Sequence, residues 1–330
     1  MRVKELQAIL KKKGLDSAVF LTTSEKPDPN VLYFTQLHTD ISCLVVTKKE
    51  VFHFVPGFEY ERMKKENVLH TKNWWKDIKK VGGKKIGINE TVMSVAEQEK
   101  LHKFATSKPI SKDLFALRAK KTAEEQDRVR KACMLTDSIW RRLLLSLPKL
   151  NTELDIVQWL EKEIKQAGLR IAFPPVVASG GNAQHPHHEA KNELQPGFCV
   201  IDFGVVYQGY MSDMTRTIHL GTPSFKDRAL YNKVLKTQQA CIKKVQKGVK
   251  LKELTEFAKK RLGKQFIHGI GHGVGVEIHE PLDKLKPGMV LTIEPGVYGQ
   301  GRGIRIEDTV LVTVDGVEVL TASNREIFVL

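Results

Sequence analysis

Along the first third of the chain, apolar positions recur in short runs set between charged stretches. SAVFLTT (17–23), NVLYFT (30–35), ISCLVVT (41–47) and VFHFV (51–55) are strand-length and rich in β-branched and aromatic residues, so each is expected to be a strand. MRVKELQAILKKKG reads as an amphipathic helix ahead of them. GFEYERMKKEN and SVAEQEKLHKFA read as further helices, with IGINE another short strand. This pattern predicts a small α/β domain over residues 1–115. Beyond Ser111 the pattern changes. Thr122 followed by Glu124 and Glu125 marks a helix start with acids in its first turn, and Val129, Ala132, Cys133, Leu135, Ile139, Leu143 and Leu144 follow at helical spacing. A second helix is expected from the capping residue Thr152 to Gly168. Then come glycine-punctuated strands. FCVIDFGVVYQGYMSDMTRTIHLG predicts a hairpin or meander, and MVLTIEPGVY, RIEDTVLVTV and EVLT predict the last strands. The helices FKDRALYNKVLKTQQACIKKVQKG and KELTEFAKKRLG lie between. Residues 116–330 are therefore expected to form a helix-flanked sheet, and the whole chain to be of α+β class.

Size and composition add bounds. The 330 residues suffice for two domains, and 41% hydrophobic with 28% charged residues describes an ordinary soluble globular protein. No apolar run approaches the ~18–20 residues of a membrane span, and the basic N-terminal helix has no apolar core like that of a secretory leader. Cys43, Cys133, Cys199 and Cys241 are scattered, with no CxxC pair, so reduced thiols in a cytoplasmic protein are expected. The net charge of +15 raises a nucleic-acid partner. The lysines fall in short clusters (Lys11 to Lys13, Lys79 to Lys80, Lys84 to Lys85, Lys120 to Lys121) with no aromatic-rich motif beside them, so a solvated basic surface is expected instead.

The chemistry concentrates in the C-terminal half. Asp202 lies in IDFG, Asp213 in SDMTRT, His272 in HGIGHGVG, Glu294 in TIEPG and Glu307 in RIEDT. Four carboxylates and one imidazole form a hard, oxygen-rich donor set. Its charge exceeds what one divalent ion balances and suits two, which roughly 3.5–4 Å apart would hold a shared water or hydroxide against a polarised carbonyl. Asp202 and Asp213 are an odd number of residues apart and would face opposite ways on one strand. A reversal at Tyr207-Gln208-Gly209-Tyr210 would bring both to one face. Three histidines, His268, His272 and His279, stand among glycines that disfavour a helix, which predicts a strand or turn delivering imidazoles to a pocket. Pro295-Gly296 would end the strand MVLTI at Glu294. Taken singly, Glu294 and Glu307 are equally consistent with exposed strand carboxylates, and Asp202 and Asp213 with a turn-capping and a surface aspartate, although Val200, Ile201 and Phe203 around Asp202 predict its burial.

In order and wording these motifs resemble the "pita-bread" metallopeptidases, in the branch of prolidase (Xaa-Pro dipeptidase) and aminopeptidase P, over nearly the whole chain. The resemblance implies a creatinase/prolidase-type N-terminal domain over 1–115. It implies a catalytic pita-bread domain over 116–330 with a curved, mainly antiparallel sheet. By motif, Asp202, Asp213, His272, Glu294 and Glu307 would ligate two divalent ions, with manganese favoured over cobalt or zinc. Asp213 would be bidentate or bridging, Glu307 would bridge, and Glu294 would also shuttle a proton from the nucleophilic water. His279 (EIHE) would face the substrate carbonyl, with His268 (IHGIGH) and His187 (HPHHEA) on the substrate side; His185 and His188 leave the register of His187 open. Arg305 would be a cation beside the ligands or the substrate. The substrate implied is a proline-containing peptide cut before proline, in a cytoplasmic homodimer where Leu37-His38-Thr39-Asp40 could close a partner's site; a surface turn is the plainer reading of that segment. Two features depart from the family. The segment between His279 and Glu294 is short, and Leu282 and Asp283 stand where prolidases often have an arginine suited to a dipeptide carboxylate. Arg302, Arg305 or an N-domain residue could take that role. A methionine aminopeptidase shares the ligand set, while a metal-free binding protein and creatinase-like chemistry are known on the fold; these readings stay open.

Overall fold

The computed structural model describes residues 2–64, 66–191 and 193–330. The chain divides into two compact units, Met1–Arg118 and Ala119–Leu330. In the first, six strands form one sheet: β1 (Ser17–Thr22), β2 (Ser42–Thr47), β3 (Val51–Val55), β4 (Leu69–His70), β5 (Lys85–Ile88) and β6 (Thr106–Pro109), in the order β4-β3-β2-β1-β5-β6. The helices are α1 (Arg2–Lys13), α2 (Pro29–Thr35), α3 (Gly57–Met63), α4 (Trp74–Val81), α5 (Val95–His102) and α6 (Ser111–Ala119). Strand β1 is buried along its whole length. Its alternation explains why the run is continuously apolar. Ala18 and Phe20 pack with Leu6, Leu10, Val31 and Leu114, whereas Val19 and Leu21 pack with Ile78 and Leu101.

One expected strand is a helix. NVLYFT lies in α2, started by Asp28, whose side chain accepts from Asn30 N, with Pro29 pre-set at the first position. Gln36 in the left-handed region (φ 60°) ends it after seven residues. A run that short is strand-length, and its apolar content alone does not separate the two states.

The second unit opens with α7 (Ala123–Ser146) and α8 (Glu153–Gln166), each begun by a capping box, Thr122 with Glu125 and Thr152 with Asp155. Its strands are β7 (Arg170–Ile171), β8 (Val176–Ser179), β9 (Gly197–Phe203), β10 (Val205–Tyr207), β11 (Tyr210–Met211), β12 (Met214–Leu220), β13 (Val290–Ile293), β14 (Gly296–Gly299), β15 (Arg302–Arg305), β16 (Asp308–Val312), β17 (Val317–Val319) and β18 (Phe328–Val329). Helices α9 (Phe225–Ile242) and α10 (Leu251–Leu262) lie between β12 and β13. The sheets run β18-β12-β9-β8, β11-β10-β7, β13-β16-β17 and β14-β15, and apart from β12–β18 their pairs are antiparallel. Cys199, Ile201 and Phe203 of β9 pack with Ile139, Leu143, Ile156 and Leu160 of α7 and α8. A second core joins Val234, Leu254 and Ala258 of α9 and α10 to Leu291, Ile293, Ile304 and Val310. The α+β class is as expected.

Candidate active site

Strand alternation sets the carboxylates. The odd-numbered residues of β9 face α7 and α8, so Asp202 points to the other side. The chain reverses at Gln208 and Gly209, both with positive φ (46° and 84°), where the sequence placed the reversal. Strand β12 returns antiparallel, pairing Thr215 with Asp202 and Met214 with Phe203. Met214 and Ile218 fill the α7–α8 core, which leaves Asp213, Thr215 and Thr217 on the face of Asp202. Glu294 follows β13, and Glu307 sits between β15 and β16, where its N–H donates to Thr215 O at 3.1 Å. His272 arrives on the glycine segment. Its backbone bonds Thr292 on β13, and a Cβ on Gly271 would fall 2.1 Å from Thr292 O, so only glycine permits this approach.

Ligand-type atoms of Asp213, His272 and Glu307 lie within 4.8 Å of one another. His272 Nε2 is 3.7 Å from Asp213 Oδ2 and 3.4 Å from Glu294 Oε1. His272 Nδ1 is 3.2 Å from Gly273 O, and since a carbonyl only accepts, Nδ1 carries the proton. Nε2 therefore turns its lone pair toward two carboxylates. Arg305 Nη2 donates to Asp202 Oδ2 at 2.8 Å, and Thr215 Oγ1 donates to Glu307 Oε2 at 2.6 Å. Asp202 Oδ1, Asp213 Oδ1 and Glu307 Oε1 are buried without a hydrogen-bond partner. Unpartnered buried anions are costly, and these crowd one another. Burial, then the charges of Glu307, Asp202 and Glu294, pushes the Asp213 carboxyl well above its ordinary range. Burial, then Glu294 and Asp202, does the same to Glu307. Burial lifts Glu294 to about 7, and burial lowers His272 to about 4. A donor set of orphaned carboxylate oxygens and an imidazole lone pair fits divalent cations.

The same cavity, about 730 Å³, is lined by all five of these residues and by His187, His268, His279 and Arg305, with Phe173, Pro174, Val176, Ile267 and Ile278 as its apolar wall. His279 stacks edge-on against His272, ring centroids 4.1 Å apart. His268 Nδ1 donates to Gly269 O at 2.7 Å, which leaves Nε2 to accept from Tyr298 OH at 2.9 Å. Tyr298 OH in turn accepts from Arg305 Nη1 at 3.1 Å. Of the three histidines in HPHH, the cavity is lined by His187, while His188 bonds buried Glu153. Arg302 is half-exposed, pairs with Asp227 at 3.4 Å and lies outside the cavity lining. Arg305 is buried, its guanidinium also bonded to Thr215 and Pro186 O.

Sequence reading missed Tyr298 and the buried pair of Lys121 and Glu280 (2.7 Å), which ties the residue after His279 to the start of α7. Tyr298 stands four after Glu294 on a strand, the same strand face as Gly296, but a tyrosine in a strand carries no chemical signature. Lys121 was counted with the surface lysines.

Residues 127–314 match Metallopeptidase family M24, and residues 2–120 match the Creatinase/Prolidase N-terminal domain. The Xaa-Pro dipeptidase of Pyrococcus furiosus is 34% identical over 309 residues, covering 86% of this chain and 88% of that one. The solved prolidase from Pyrococcus horikoshii superposes with a TM-score of 0.90 at 31% identity, over 99% of both chains. An X-Pro aminopeptidase from Thermotoga maritima superposes at 0.87 and 25% identity, over 96% of this chain and 98% of that one.

Proposed function

This chain belongs to metallopeptidase family M24, and we propose that it is a dinuclear exopeptidase that cuts the bond before proline and releases the N-terminal residue of Xaa-Pro peptides. The carrying observation is the convergence of orphaned carboxylate oxygens and the His272 Nε2 lone pair in a cavity that three further histidines line. Asp202, Asp213, His272, Glu294 and Glu307 would hold the two ions, with manganese suited to so many carboxylates. When bound, such ions supply Lewis acidity and lower the pKa of water.

The chain's own residues do the rest. Glu294 is the proton carrier: it takes a proton as water adds to the carbonyl and returns it to the departing proline nitrogen. His279 is aimed as a donor at the tetrahedral oxyanion, with a contribution of a few kcal/mol. His268, its Nδ1 bonded to Gly269 O and its Nε2 accepting from Tyr298, shapes the substrate side of the cavity. His187 orients the substrate. Arg305 holds Asp202 in place through its Nη2 and links it by Tyr298 to His268. The apolar wall suits a proline ring. Residues 116–330 carry this chemistry, and a cytoplasmic homodimer is the assembly we assign. The relatives' names speak for Xaa-Pro dipeptides. Leu282 and Asp283 in place of an arginine, and Arg302 bound to Asp227, speak for longer peptides as well.

The reading is tested with a manganese-supplied substrate panel. Ala-Pro and Ala-Pro-Ala should both lose alanine, and Met-Ala-Ser should survive. Cleavage of Met-Ala-Ser in preference to both would replace the reading with a methionine aminopeptidase.

A further inference from the structure

Glu153 opens α8 and is fully buried, an unusual setting for a carboxylate far from the five ligand residues in sequence. Its Oε1 accepts from Ser179 N (2.7 Å), Ser179 Oγ (2.8 Å) and Asn182 Nδ2 (3.0 Å); its Oε2 meets His188 Nε2 at 2.7 Å. Burial pushes its pKa up, but the bonds from Asn182, Ser179 and His188 outweigh that and hold the carboxyl below its usual range. These partners come from three successive pieces: the end of β8, the turn 180–184 and the segment that follows. His185 N donates to Asn182 O, and His188 N to His185 O, so the segment is a tight turn with Pro186 and His187 at its tip. The tip enters the cavity, since Pro186 and His187 line it while His188 points back to Glu153. One carboxylate thus fastens both flanks of the turn that presents His187.

We propose that Glu153, acting through His188, is the positioning residue for His187, fixing where that imidazole meets the peptide. The inference rests on the reading of His187 as a substrate-side group. It also resolves the HPHH ambiguity: adjacent histidines take opposite directions, one to the cavity and one to a buried anchor. Losing the anchor frees the turn and shifts His187 while leaving Asp202, Asp213, His272, Glu294 and Glu307 on their strands. A misplacement of about 1 Å at a substrate-orienting group costs on the order of 100-fold.

The test uses the full chain with manganese and Ala-Pro. Glu153→Ala should lower kcat/KM roughly 10–100-fold, as losses of supporting hydrogen bonds do, with bound metal unchanged. Glu153→Gln should recover most of it, because the amide oxygen keeps the Ser179 bonds and its NH2 can donate to an unprotonated His188 Nε2. In a His187→Ala background, Glu153→Ala should cost little more, since the two act as one unit. Full additivity there, or unchanged kcat/KM with only a lower Tm, overturns the proposal. Should Glu153→Ala fail to fold, His188→Ala carries the same comparison, with His188→Gln as the variant whose NH2 can keep the bond to Glu153. Isotope-labelled histidine spectra give a readout free of turnover: the His187 ring signals should shift or broaden in Glu153→Ala and stay put in Glu153→Gln. If the wild-type chain cuts no Xaa-Pro peptide, the functional reading falls while these spectra still decide the anchor; unmoved His187 signals in Glu153→Ala sink it.

Discussion

His53 lies on β3 opposite Leu44, 4% exposed, with neither ring nitrogen hydrogen-bonded. Burial lowers its pKa to about 4 from 6.5, so the folded protein holds the ring neutral. Between pH 6.5 and 4 the unfolded chain binds the extra proton and the folded one does not, so stability falls as pH drops through that window. The loss reaches about 3 kcal/mol once pH is below both values. Denaturant unfolding at pH 7 and 4.5 should show the drop in the wild type and a smaller one in His53→Phe; equal drops would refute it. Other single residues were legible in part. An odd spacing and a Gln-Gly turn sufficed to bring Asp202 and Asp213 to one face, because strand alternation is strict. Which histidine of HPHH enters the cavity was not legible, since the answer depends on Glu153, a residue whose sequence context says only that a helix begins.

Helix ends were readable because capping chemistry is local: Thr122 and Thr152 start α7 and α8 as their positions suggested. NVLYFT was misread because Asp28-Pro29 outweighs the strand character of a six-residue run. The β14–β15 hairpin shows what local pattern omits. Gly303 pairs with Tyr298, and a Cβ there would lie 1.6 Å from Ala183 O, in the turn that leads to His187. Gly301 N also donates to Gln184 Oε1 at 3.2 Å. Hairpin and turn therefore pack backbone to backbone. Gly303→Ala should force them apart, displacing Tyr298, Arg305 and His187 together and lowering kcat/KM by ~100-fold or more. Gly181→Ala, whose Cβ would meet only Gln195 Oε1 at 3.7 Å, should stay within about twofold. Comparable losses in both would mean that the close approach at Gly303 does not matter.

At the scale of the molecule, the candidate centre belongs to the Ala119–Leu330 unit, where three sheets and a glycine segment each deliver part of it. No local pattern foretold that assembly; the order of motifs did, through the family resemblance. No described helix is long and apolar enough to cross a membrane. The four cysteines are buried and unpaired, their thiols pushed up by burial. The charge of the unit's interior is what makes the metal claim physical: buried carboxylates oppose one another unless cations join them. Titration of metal-stripped protein with manganese, following bound metal and Ala-Pro hydrolysis together, tests this most directly. The account predicts that activity saturates at two ions per chain and is lost, with the metal, in His272→Ala. Full activity in the stripped protein, or two bound ions with no cleavage of any Xaa-Pro peptide, would contradict it.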